Sequence, residues 1–460
     1  MLPDGARDRF EDAVGPLGCL DSPEDLRLYA YDAGVDSHPP DLVLFPQSVE
    51  EVSAIARIAH ELRIPLVARG AATGLSGGSI PCQGGVAVAF ARMNRILEID
   101  LENECAIVEP GVVNLHVTEA VAERGYCFAP DPCSRRACTV GGNVAENAGG
   151  IHAPAYGVTA NHVLGLEFVL PGGAIVQTGG KEPDLPGYDL TGLLTGSEGA
   201  IALVTKIIVR LTPKPEAVKT AMAVYDSLED AVRTVAEVAS QGIAPAALEM
   251  FDGPVLRTIE AATHAGYPAD ASAVLLVELA GGREQVKEQV ERIREICLIP
   301  GPRKFRVART PKERDPLWKG RKDALGAMGR LSPACYVPDG VVPRSGIGDA
   351  LAFIAEVSGR HGLSIGRIVH AADGGLEPVI LFDPRRPGDP EKARAAGEEI
   401  LRYCIRVGGS ITGGHGVGME KVNLMGQLFS PDSLAMMRNL QLAFDPGSIL
   451  NPGKVLPPAE

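Results

Sequence analysis

Three glycine-rich clusters contain the residues of this chain that are best suited to chemistry. The first cluster, residues 69–78, reads RGAATGLSGG and follows an apolar stretch typical of a strand. Glycine lets backbone N–H groups approach an anion closely, so this loop is suited to hold a pyrophosphate. It matches neither the P-loop, which needs a lysine after its last glycine, nor the G-x-G-x-x-G fingerprint. A glycine-rich turn without a ligand is the alternative.

The other two clusters add a flat wall and a histidine. The second reads CTVGGNVAENAGG over residues 138–150 and continues in GSEG at 196–199. Small residues with a few amides suit a large flat ligand that lies against the backbone. The third, residues 408–418, reads GGSITGGHGVG and places His415 among six glycines. Histidine ordinarily titrates near neutral pH, so His415 is a candidate base. A structural histidine bonded to backbone is the alternative.

The composition limits the class of protein to which these clusters belong. The chain has 460 residues with 54 Gly and 36 Pro, yet 45% of its residues are hydrophobic. That proportion excludes collagen-like and disordered chains, and the length predicts two or three domains. The formal net charge of −14 argues against a nucleic-acid-binding protein, because an acidic surface repels phosphate backbones.

We expect neither a transmembrane helix nor a signal peptide. No run of 18 apolar residues occurs, and the charged N-terminus lacks an apolar signal core. These features predict a cytoplasmic protein, with peripheral attachment to a membrane through a partner left open. The nine cysteines include no CxxC pair, which predicts reduced thiols and no iron–sulfur cluster.

The elements that position the clusters alternate along the chain. Residues 42–100 predict strand–helix–strand, with a helix over 48–63 that begins at Ser48 as N-cap. Residues 163–180 predict a β-hairpin, and residues 200–213 predict a long strand.

A boundary is predicted where Thr212-Pro213-Lys214-Pro215 interrupts the pattern. We place a first domain at 1–213, a second domain at 214–419, and a C-terminal segment at 420–460 that returns to the first. Residues 216–405 alternate between strand and helix patterns, which predicts a sheet covered by helices with antiparallel or mixed order.

Taken in this order, the motifs resemble those of the flavoprotein dehydrogenases of D-2-hydroxy acids. That family includes the FAD-binding subunit of glycolate oxidase and the D-lactate and D-2-hydroxyglutarate dehydrogenases. The three clusters carry the resemblance together with VEPGV at 108–112, HAADGG at 370–375 and LNPGK at 450–454. The resemblance implies an α+β fold: a two-subdomain FAD-binding domain of the vanillyl-alcohol oxidase (PCMH) type, plus an α+β cap domain with a sheet covered by helices.

The resemblance also implies where FAD binds. Residues 69–78 would hold the pyrophosphate, 130–150 would line the flavin and ribityl chain, and 196–204 would line the adenine end. Because 69–78 contains no histidine, we expect noncovalent FAD; a covalent link from His152 is the alternative. The expected cofactor-binding residues are Arg69, Gly70, Ala71, Ala72, Thr73, Gly74, Leu75, Ser76, Pro130, Asp131, Ser134, Gly141, Gly142, Asn143, Asn147, Gly149, Gly150, Tyr156, Glu198, Gly199, Val204 and Asn451.

Oxidation of a 2-hydroxy acid needs a cation for the carboxylate, a base for the hydroxyl proton and an acceptor for the hydride. Flavin N5 would accept the hydride. The family places a substrate-binding arginine three residues after a tryptophan, which implies Arg321 after Trp318 and leaves Arg344 as a second candidate. A surface salt bridge is the alternative for Arg321. The expected catalytic residues are His415 as base, Arg321 and His370.

The chain departs from the family at the metal-binding pattern. Relatives usually read H-x-G-D-G-N-x-H, whose histidines bind a divalent metal, and G-E-H-G, whose glutamate is a third ligand. Here His370 is kept, whereas Gly375, Glu377 and Gly414 replace the asparagine, the second histidine and the glutamate. His370 and Glu377 remain as candidate ligands, but a catalytic zinc normally has three. Binding of Zn²⁺ or Mn²⁺ is left open, and a core histidine without metal is the alternative for His370.

Two further departures lie in the expected adenine region. Ala202 and Lys206 stand where relatives usually have glycine and glutamate. The extra methyl group of Ala202 would alter FAD affinity or the bound pose if the cofactor passes close to it.

These features predict FAD-dependent oxidation of a small D-2-hydroxy acid, of the glycolate or D-lactate type, to the 2-oxo acid. The electrons would pass to an iron–sulfur or flavoprotein partner subunit or to a quinone, and we expect a homo- or hetero-oligomer. The replaced metal ligands favour an alternative: a catalytically impaired FAD-binding subunit with a structural or electron-relay role in a multi-subunit complex.

Overall fold

The computed structural model describes residues 2–182 and 186–458 and divides into two units. As far as they are described, residues 1–150, 157–214 and 414–460 form the first unit, and residues 151–156 and 215–413 form the second. The division after Lys214 falls within the Pro-rich run. The chain returns to the first unit at Gly414, earlier than the predicted 420.

The first unit contains a four-stranded sheet. Its strands lie in the order Cys19–Leu20, Leu42–Leu44, Val86–Ala89 and Leu66–Arg69. The last three strands are parallel. Parallel neighbours need a crossover, and the helix Val49–Leu62 supplies it.

That crossover helix forms as the sequence predicts. It begins at Ser48, whose Oγ accepts a hydrogen bond from the backbone N–H of Glu51. Its buried face consists of Val52, Ile55, Ala56, Ile58 and Ala59. Each large aliphatic side chain that is fully buried contributes about 1.5–3 kcal/mol, so this face holds the helix on the sheet.

The first unit also contains a five-stranded antiparallel sheet. Its strands lie in the order Ile96–Asp100, Cys105–Val108, Leu203–Arg210, Val163–Val169 and Ile175–Gly179. The last two strands are the predicted hairpin, and Leu203–Arg210 is the predicted long strand. A two-stranded ribbon pairs Tyr126–Cys127 with Thr212–Pro213.

Most helices of the first unit are short, and the three longer ones are Ala6–Val14, Val49–Leu62 and Pro431–Phe444. In chain order the helices are Ala6–Val14, Pro23–Leu28, Val49–Leu62, Asn114–Val121, Val140–Glu146, Leu190–Leu194, Met425–Leu428 and Pro431–Phe444. Two hydrophobic clusters support them, one under each sheet: Val52, Leu66 and Val88 belong to the first, and Phe128, Phe168 and Ile207 to the second.

The second unit is built on one antiparallel sheet of eight strands. Its main path is Lys304–Val307, Ala217–Tyr225, Ala273–Gly281, Ala247–Asp252, Ile365–His370, Gly375–Phe382 and Ala334–Tyr336, and Gly340–Val341 also pairs with Gly375–Phe382. A sheet with helices was predicted here. The helices are Ala153–Tyr156, Leu228–Ser240, Gly253–Thr263, Arg283–Leu298, Pro311–Lys322, Ala324–Met328, Ile347–His361 and Asp389–Arg406.

The helices Gly253–Thr263, Pro311–Lys322 and Ala324–Met328 pack with the sheet around one core. Phe251, Leu256, Leu317 and Trp318 lie in this cluster, each at most 7% exposed. Among the described residues, no helix combines the length and the apolar composition that crossing a membrane requires.

Candidate functional site

The first glycine cluster forms a loop whose backbone is held by a hydrogen bond to the Asp32 side chain. It leaves the strand Leu66–Arg69, and Asp32 accepts hydrogen bonds from the backbone N–H groups of Gly77 at 2.9 Å and Gly34 at 2.7 Å. Arg69 is 6% exposed and donates to the carbonyl oxygen of Tyr31 at 2.7 Å. The contacts of Arg69 thus stabilise the loop itself. The sequence reasoning missed Asp32, which no motif marks.

The first and second clusters meet at Thr139. A Cβ atom on Gly70 would clash with Thr139 Oγ1, so only glycine permits this approach. Thr139 also caps the helix Val140–Glu146, because its Oγ1 accepts from the N–H of Gly142. A Cβ on Gly74, by contrast, would meet nothing within 4 Å. Gly70 is therefore packed on protein, whereas Gly74 faces open space.

The two amides of the second cluster hold its shape. Asn143 Oδ1 accepts from Asn114 Nδ2 at 2.9 Å, and Asn147 Oδ1 accepts from the N–H of Ala160 at 2.8 Å. Asn147 ends the helix in the left-handed region, with φ of 48°. A Cβ on Gly150 would lie 2.6 Å from Asp131 Oδ1, so the predicted segments around 131 and 150 are neighbours.

The loop that carries His415 is tied to the predicted FAD loops. Ser76 Oγ donates to the carbonyl oxygen of His415 at 2.7 Å. The Glu198 carboxylate accepts from the N–H groups of Val417 and Gly418, each at 2.7 Å. The structure thus brings His415, Ser76 and Glu198 together within the first unit.

The motif at 450–454 closes the same region. Asn451 Nδ2 donates to the carbonyl oxygens of Gly78 at 3.0 Å and Glu198 at 2.6 Å. Lys454 Nζ also donates to Gly78 O, at 3.0 Å. Burial lowers the pKa of Lys454 to about 8, since nearby carboxylates compensate only part of its desolvation. Lys454 was not among the predicted residues, although LNPGK contains it.

Two glutamates share the space beneath Gly416. A Cβ on Gly416 would contact Glu146 Oε2 and lie 2.9 Å from Glu198 Oε1. Burial and the Glu198 carboxylate raise the pKa of Glu146 well above its ordinary value. Burial also raises the pKa of Glu198, but two backbone N–H groups oppose that rise. We therefore expect Glu146 to be the member of the pair that is more readily protonated. Sequence reasoning missed Glu146, although it stands within the AENAGG motif.

Other positions singled out in this region lie in the protein core or form ion pairs. Val204 lies on the strand Leu203–Arg210 and packs against the core under the antiparallel sheet. Ala202 is 3% exposed in that core. Lys206 Nζ forms an ion pair with Glu167 Oε2 at 2.9 Å, which explains why a lysine is stable at this position. Tyr156, predicted at the cofactor, belongs to the second unit.

The second unit gathers Arg321, His370 and Glu377 around a fourth group, Glu249. Glu249 lies opposite His370 in the paired strands, and Glu377 lies opposite Ile368 on the next strand, so all face one side of the sheet. Arg321 reaches them from the last turn of the helix Pro311–Lys322.

The four groups form a connected ion cluster. Arg321 Nε donates to Glu249 Oε2 at 2.5 Å, and Arg321 Nη2 donates to Glu377 Oε2 at 3.2 Å. His370 Nδ1 lies 2.7 Å from Glu249 Oε1, and His370 Nε2 lies 3.3 Å from Glu377 Oε1. Arg321 is 2% exposed, so the expected alternative of a surface salt bridge does not apply to it. Arg344, the second cation candidate, is exposed.

Burial and charge act in opposite directions on His370. Burial lowers its pKa, but the carboxylates of Glu249 and Glu377 outweigh burial, and the net pKa is raised well above the ordinary value. Glu249 is 1% exposed and was missed by sequence reasoning. The available signal was an acidic residue in the middle of the apolar run ALEMF.

A second polar network anchors the helix that carries Arg321. Glu278, 2% exposed, accepts from Thr220 Oγ1 at 2.7 Å and from Arg314 Nε at 3.1 Å. Trp318 Nε1 donates to Thr220 Oγ1 at 3.0 Å. The ring of His152 also contacts this network, since its Nε2 lies 2.9 Å from Glu278 Oε1. The network fixes the helix on the sheet and so fixes the direction of Arg321.

The comparisons with known proteins cover most of the chain. The model of an FAD binding domain matches residues 40–179, and the model of the C-terminal domain of FAD linked oxidases matches residues 214–455. The chain belongs to the FAD linked oxidase family. The predicted family, the FAD cofactor and the oxidoreductase class are thereby confirmed.

Several curated relatives of this FAD linked oxidase match nearly full length. The glycolate oxidase subunit GlcD of Escherichia coli (strain K12) is 44% identical over 96% of this chain and 89% of its own. GlcD of Bacillus subtilis is 40% identical over 99% and 97%. A probable mitochondrial D-lactate dehydrogenase of Danio rerio is 32% identical over 91% and 84%.

Solved structures confirm the fold class of this FAD linked oxidase. A p-cresol methylhydroxylase with substrate bound superimposes with a TM-score of 0.82 at 21% identity, covering 98% of both chains. A 4-ethylphenol oxidase from Gulosibacter chungangensis gives 0.81 at 22% identity, over 99% of this chain and 98% of its own. The predicted vanillyl-alcohol oxidase (PCMH) type of α+β fold is correct.

The first unit fits FAD. Gly74 leaves open space above a loop of close-packed backbone, which a dinucleotide phosphate needs. The Oε2 atom of Glu146 is buried without a hydrogen-bond partner among the described residues, which suits a polar group of a ligand.

The second unit does not fit a divalent metal ion. In the part of the chain that the structure describes, no group of three or more His, Cys, Asp or Glu side chains has an arrangement that could hold one. Glu249, His370 and Glu377 are close together, but the guanidinium of Arg321 lies among them.

Proposed function

We propose that this chain oxidises a small D-2-hydroxy acid, of the glycolate or D-lactate type, to the 2-oxo acid with FAD as the hydride acceptor. The relatives named glycolate oxidase subunit GlcD and D-lactate dehydrogenase support this substrate class. The observation that carries the proposal is the attachment of the His415 loop to the FAD loops through Ser76 and Glu198. A base must stand beside the bound flavin, and these contacts support His415 in that role.

His415 is proposed to take the proton from the substrate hydroxyl group. A ring nitrogen of the imidazole would accept this proton. FAD, when bound, supplies the acceptor for the Cα hydride. The three hydrogen bonds to the 415–418 backbone restrict the loop that carries this ring.

Arg321 is proposed to bind the substrate carboxylate. Its Nε is held by buried Glu249, whereas its Nη2 faces Glu377, which is 17% exposed at the side chain. A substrate carboxylate would exchange with the Glu377 carboxylate at Nη2. The guanidinium would then donate to the substrate carboxylate in place of Glu377.

The electrons are proposed to leave through a partner, an iron–sulfur or flavoprotein subunit, or to a quinone. The word subunit in the names of the GlcD relatives supports a multi-subunit assembly. A cytoplasmic location is part of the proposal, and the nine free cysteines support a reducing compartment.

Anaerobic flavin reduction tests the substrate class. The purified protein, first checked for bound oxidised FAD, is mixed separately with glycolate, D-lactate, L-lactate and D-2-hydroxyglutarate. The proposal expects glycolate or D-lactate to bleach the flavin absorbance stoichiometrically. Full FAD occupancy with no bleaching by any substrate would instead support the impaired subunit that the replacements at Gly375, Glu377 and Gly414 favour.

A further inference from the structure

We propose that the Arg321 guanidinium takes the place of a divalent metal ion in the second unit, so that this chain binds no metal there. The inference concerns ion binding and holds whether or not the chain oxidises a 2-hydroxy acid. It rests on the positions of four side chains: Arg321, Glu249, His370 and Glu377.

The first step concerns the nitrogen atoms of His370. Its Nδ1 is 2.7 Å from Glu249 Oε1, a direct hydrogen-bond distance. Two ligands of one zinc ion, each about 2.0–2.2 Å from it, stand farther apart than that in tetrahedral geometry. No metal ion therefore fits between these two groups.

The second step concerns the other ring nitrogen. His370 Nε2 and Glu377 Oε1 are 3.3 Å apart, a spacing that two ligands of one ion would show. However, Arg321 Nη2 lies 3.2 Å from His370 Nε2 and 3.2 Å from Glu377 Oε2. An ion bound to this pair at zinc distances would lie within about 4 Å of the guanidinium. Like charges at that distance in a buried site repel strongly.

The third step concerns why Arg321 stays. Arg321 is 2% exposed and Glu249 is 1% exposed, and the Glu249 carboxylate accepts a hydrogen bond from Arg321 Nε. Removing the guanidinium would leave the buried Glu249 carboxylate with less compensation, which is unfavourable. Glu249 is thus a positioning residue that holds Arg321 and His370 together. The family pattern changes from His to Glu at 377, and this change supplies a carboxylate for the guanidinium.

The test measures metal binding by the holoprotein. The wild-type protein is incubated with Mn²⁺ or Zn²⁺, dialysed and analysed by elemental mass spectrometry, and free Mn²⁺ is followed by electron paramagnetic resonance. We expect less than 0.1 equivalent of metal per chain and no change in melting temperature with either ion. One equivalent of metal that His370→Ala abolishes would overturn the proposal.

A variant provides the complementary result. Arg321→Met removes the guanidinium and leaves Glu249, His370 and Glu377, so it is expected to bind Mn²⁺ at least tenfold more tightly than the wild type. If the folded variant binds no more Mn²⁺ than the wild type, the guanidinium is not what excludes the metal. If Arg321→Met does not fold, Glu377→His, which rebuilds the second histidine beside the retained Arg321, replaces it. Tight metal binding by that variant would contradict exclusion by the guanidinium.

Discussion

Arg321 and its partners are the residues whose substitution should affect this molecule most. A guanidinium donates along two directions at once, and here one direction is used by Glu249 and the other by Glu377. A lysine keeps the charge but offers no planar fork. The two residues are therefore not equivalent at this position, although both are cations.

Arg321→Lys is expected to destabilise the second unit by about 3 kcal/mol, because breaking a buried ion pair leaves a carboxylate poorly compensated. Its melting temperature, followed by circular dichroism, should fall by several degrees. The matched control is Arg385→Lys, an exposed pair with Asp383 in the same unit, which should leave the melting temperature unchanged. An equal melting temperature for both variants would refute the stabilising role of the Arg321 ion pairs.

His415→Asn tests the proposed base. Asparagine keeps the backbone contacts of Ser76 and Glu198 and removes the proton acceptor, so FAD content should be preserved. The rate of anaerobic flavin reduction should fall about 10²–10⁴-fold, the range that a general base contributes. Exposed His116→Asn is the control and should reduce at the wild-type rate. Reduction of His415→Asn at that rate would assign the base to another group.

Glu146→Gln tests the protonation that we expect at Glu146. A carboxyl group whose pKa is raised in the folded state contributes stability below its unfolded pKa and loses it as pH rises towards the folded pKa. The glutamine variant is therefore expected to gain in melting temperature, relative to wild type, between pH 5 and pH 8. Exposed Glu119→Gln should show no such trend. A constant difference across this range would contradict the assignment.

At the scale of elements, the glycine loops divide into positions packed against protein and positions open to a ligand. Gly70 and Gly74 are four residues apart in the same loop, yet only Gly70 is closed off, by Thr139. The open position is where the loop should approach the pyrophosphate of FAD.

Gly74→Ala is expected to leave the apoprotein fold intact, because its Cβ meets nothing within 4 Å, and to weaken FAD binding at least tenfold. Fluorescence titration of apoprotein with FAD measures the dissociation constant. Gly172→Ala, in the hairpin turn and equally open, should bind FAD as the wild type does. Equal affinities of the two variants would place the cofactor phosphates elsewhere.

Regular elements with a clear apolar period could be predicted from the sequence. The helix Val49–Leu62 shows both its N-cap and its buried face in the order of its residues. The helix Pro311–Lys322 does not: it contains Pro316 and seven charged residues, PKERDPLWKGRK, and no apolar period. Its place depends on Trp318 bonding to Thr220 and on Gly320, whose Cβ would lie 2.8 Å from Ala265 Cβ. Such tertiary contacts cannot be predicted from the local sequence pattern.

The same limit applies to the site residues. The glycine motifs and His415 could be singled out because their residues are adjacent in sequence. Glu249, however, is 72 residues from Arg321 and 121 from His370, and only strand register brings it opposite the histidine. Without that partner, the sequence left open what Glu377 does. The ion cluster therefore required the structure.

At the scale of the whole molecule, the fold and family limit the chemistry without choosing the substrate. An acidic chain of net charge −14 does not attract anions to its surface, so a 2-hydroxy acid needs a local cation. Arg321 is the proposed cation, His415 the proposed base and FAD the hydride acceptor. These three roles are the ones that oxidation of a 2-hydroxy acid requires, and the proposed substrate has the D configuration.

The most direct measurement of this account is stopped-flow reduction of the oxidised holoprotein by D-lactate and by L-lactate under anaerobic conditions. The account predicts that D-lactate reduces the flavin at least a hundredfold faster than L-lactate, with one flavin reduced per substrate oxidised to the 2-oxo acid. Equal rates for the two enantiomers, or faster reduction by L-lactate, would contradict it.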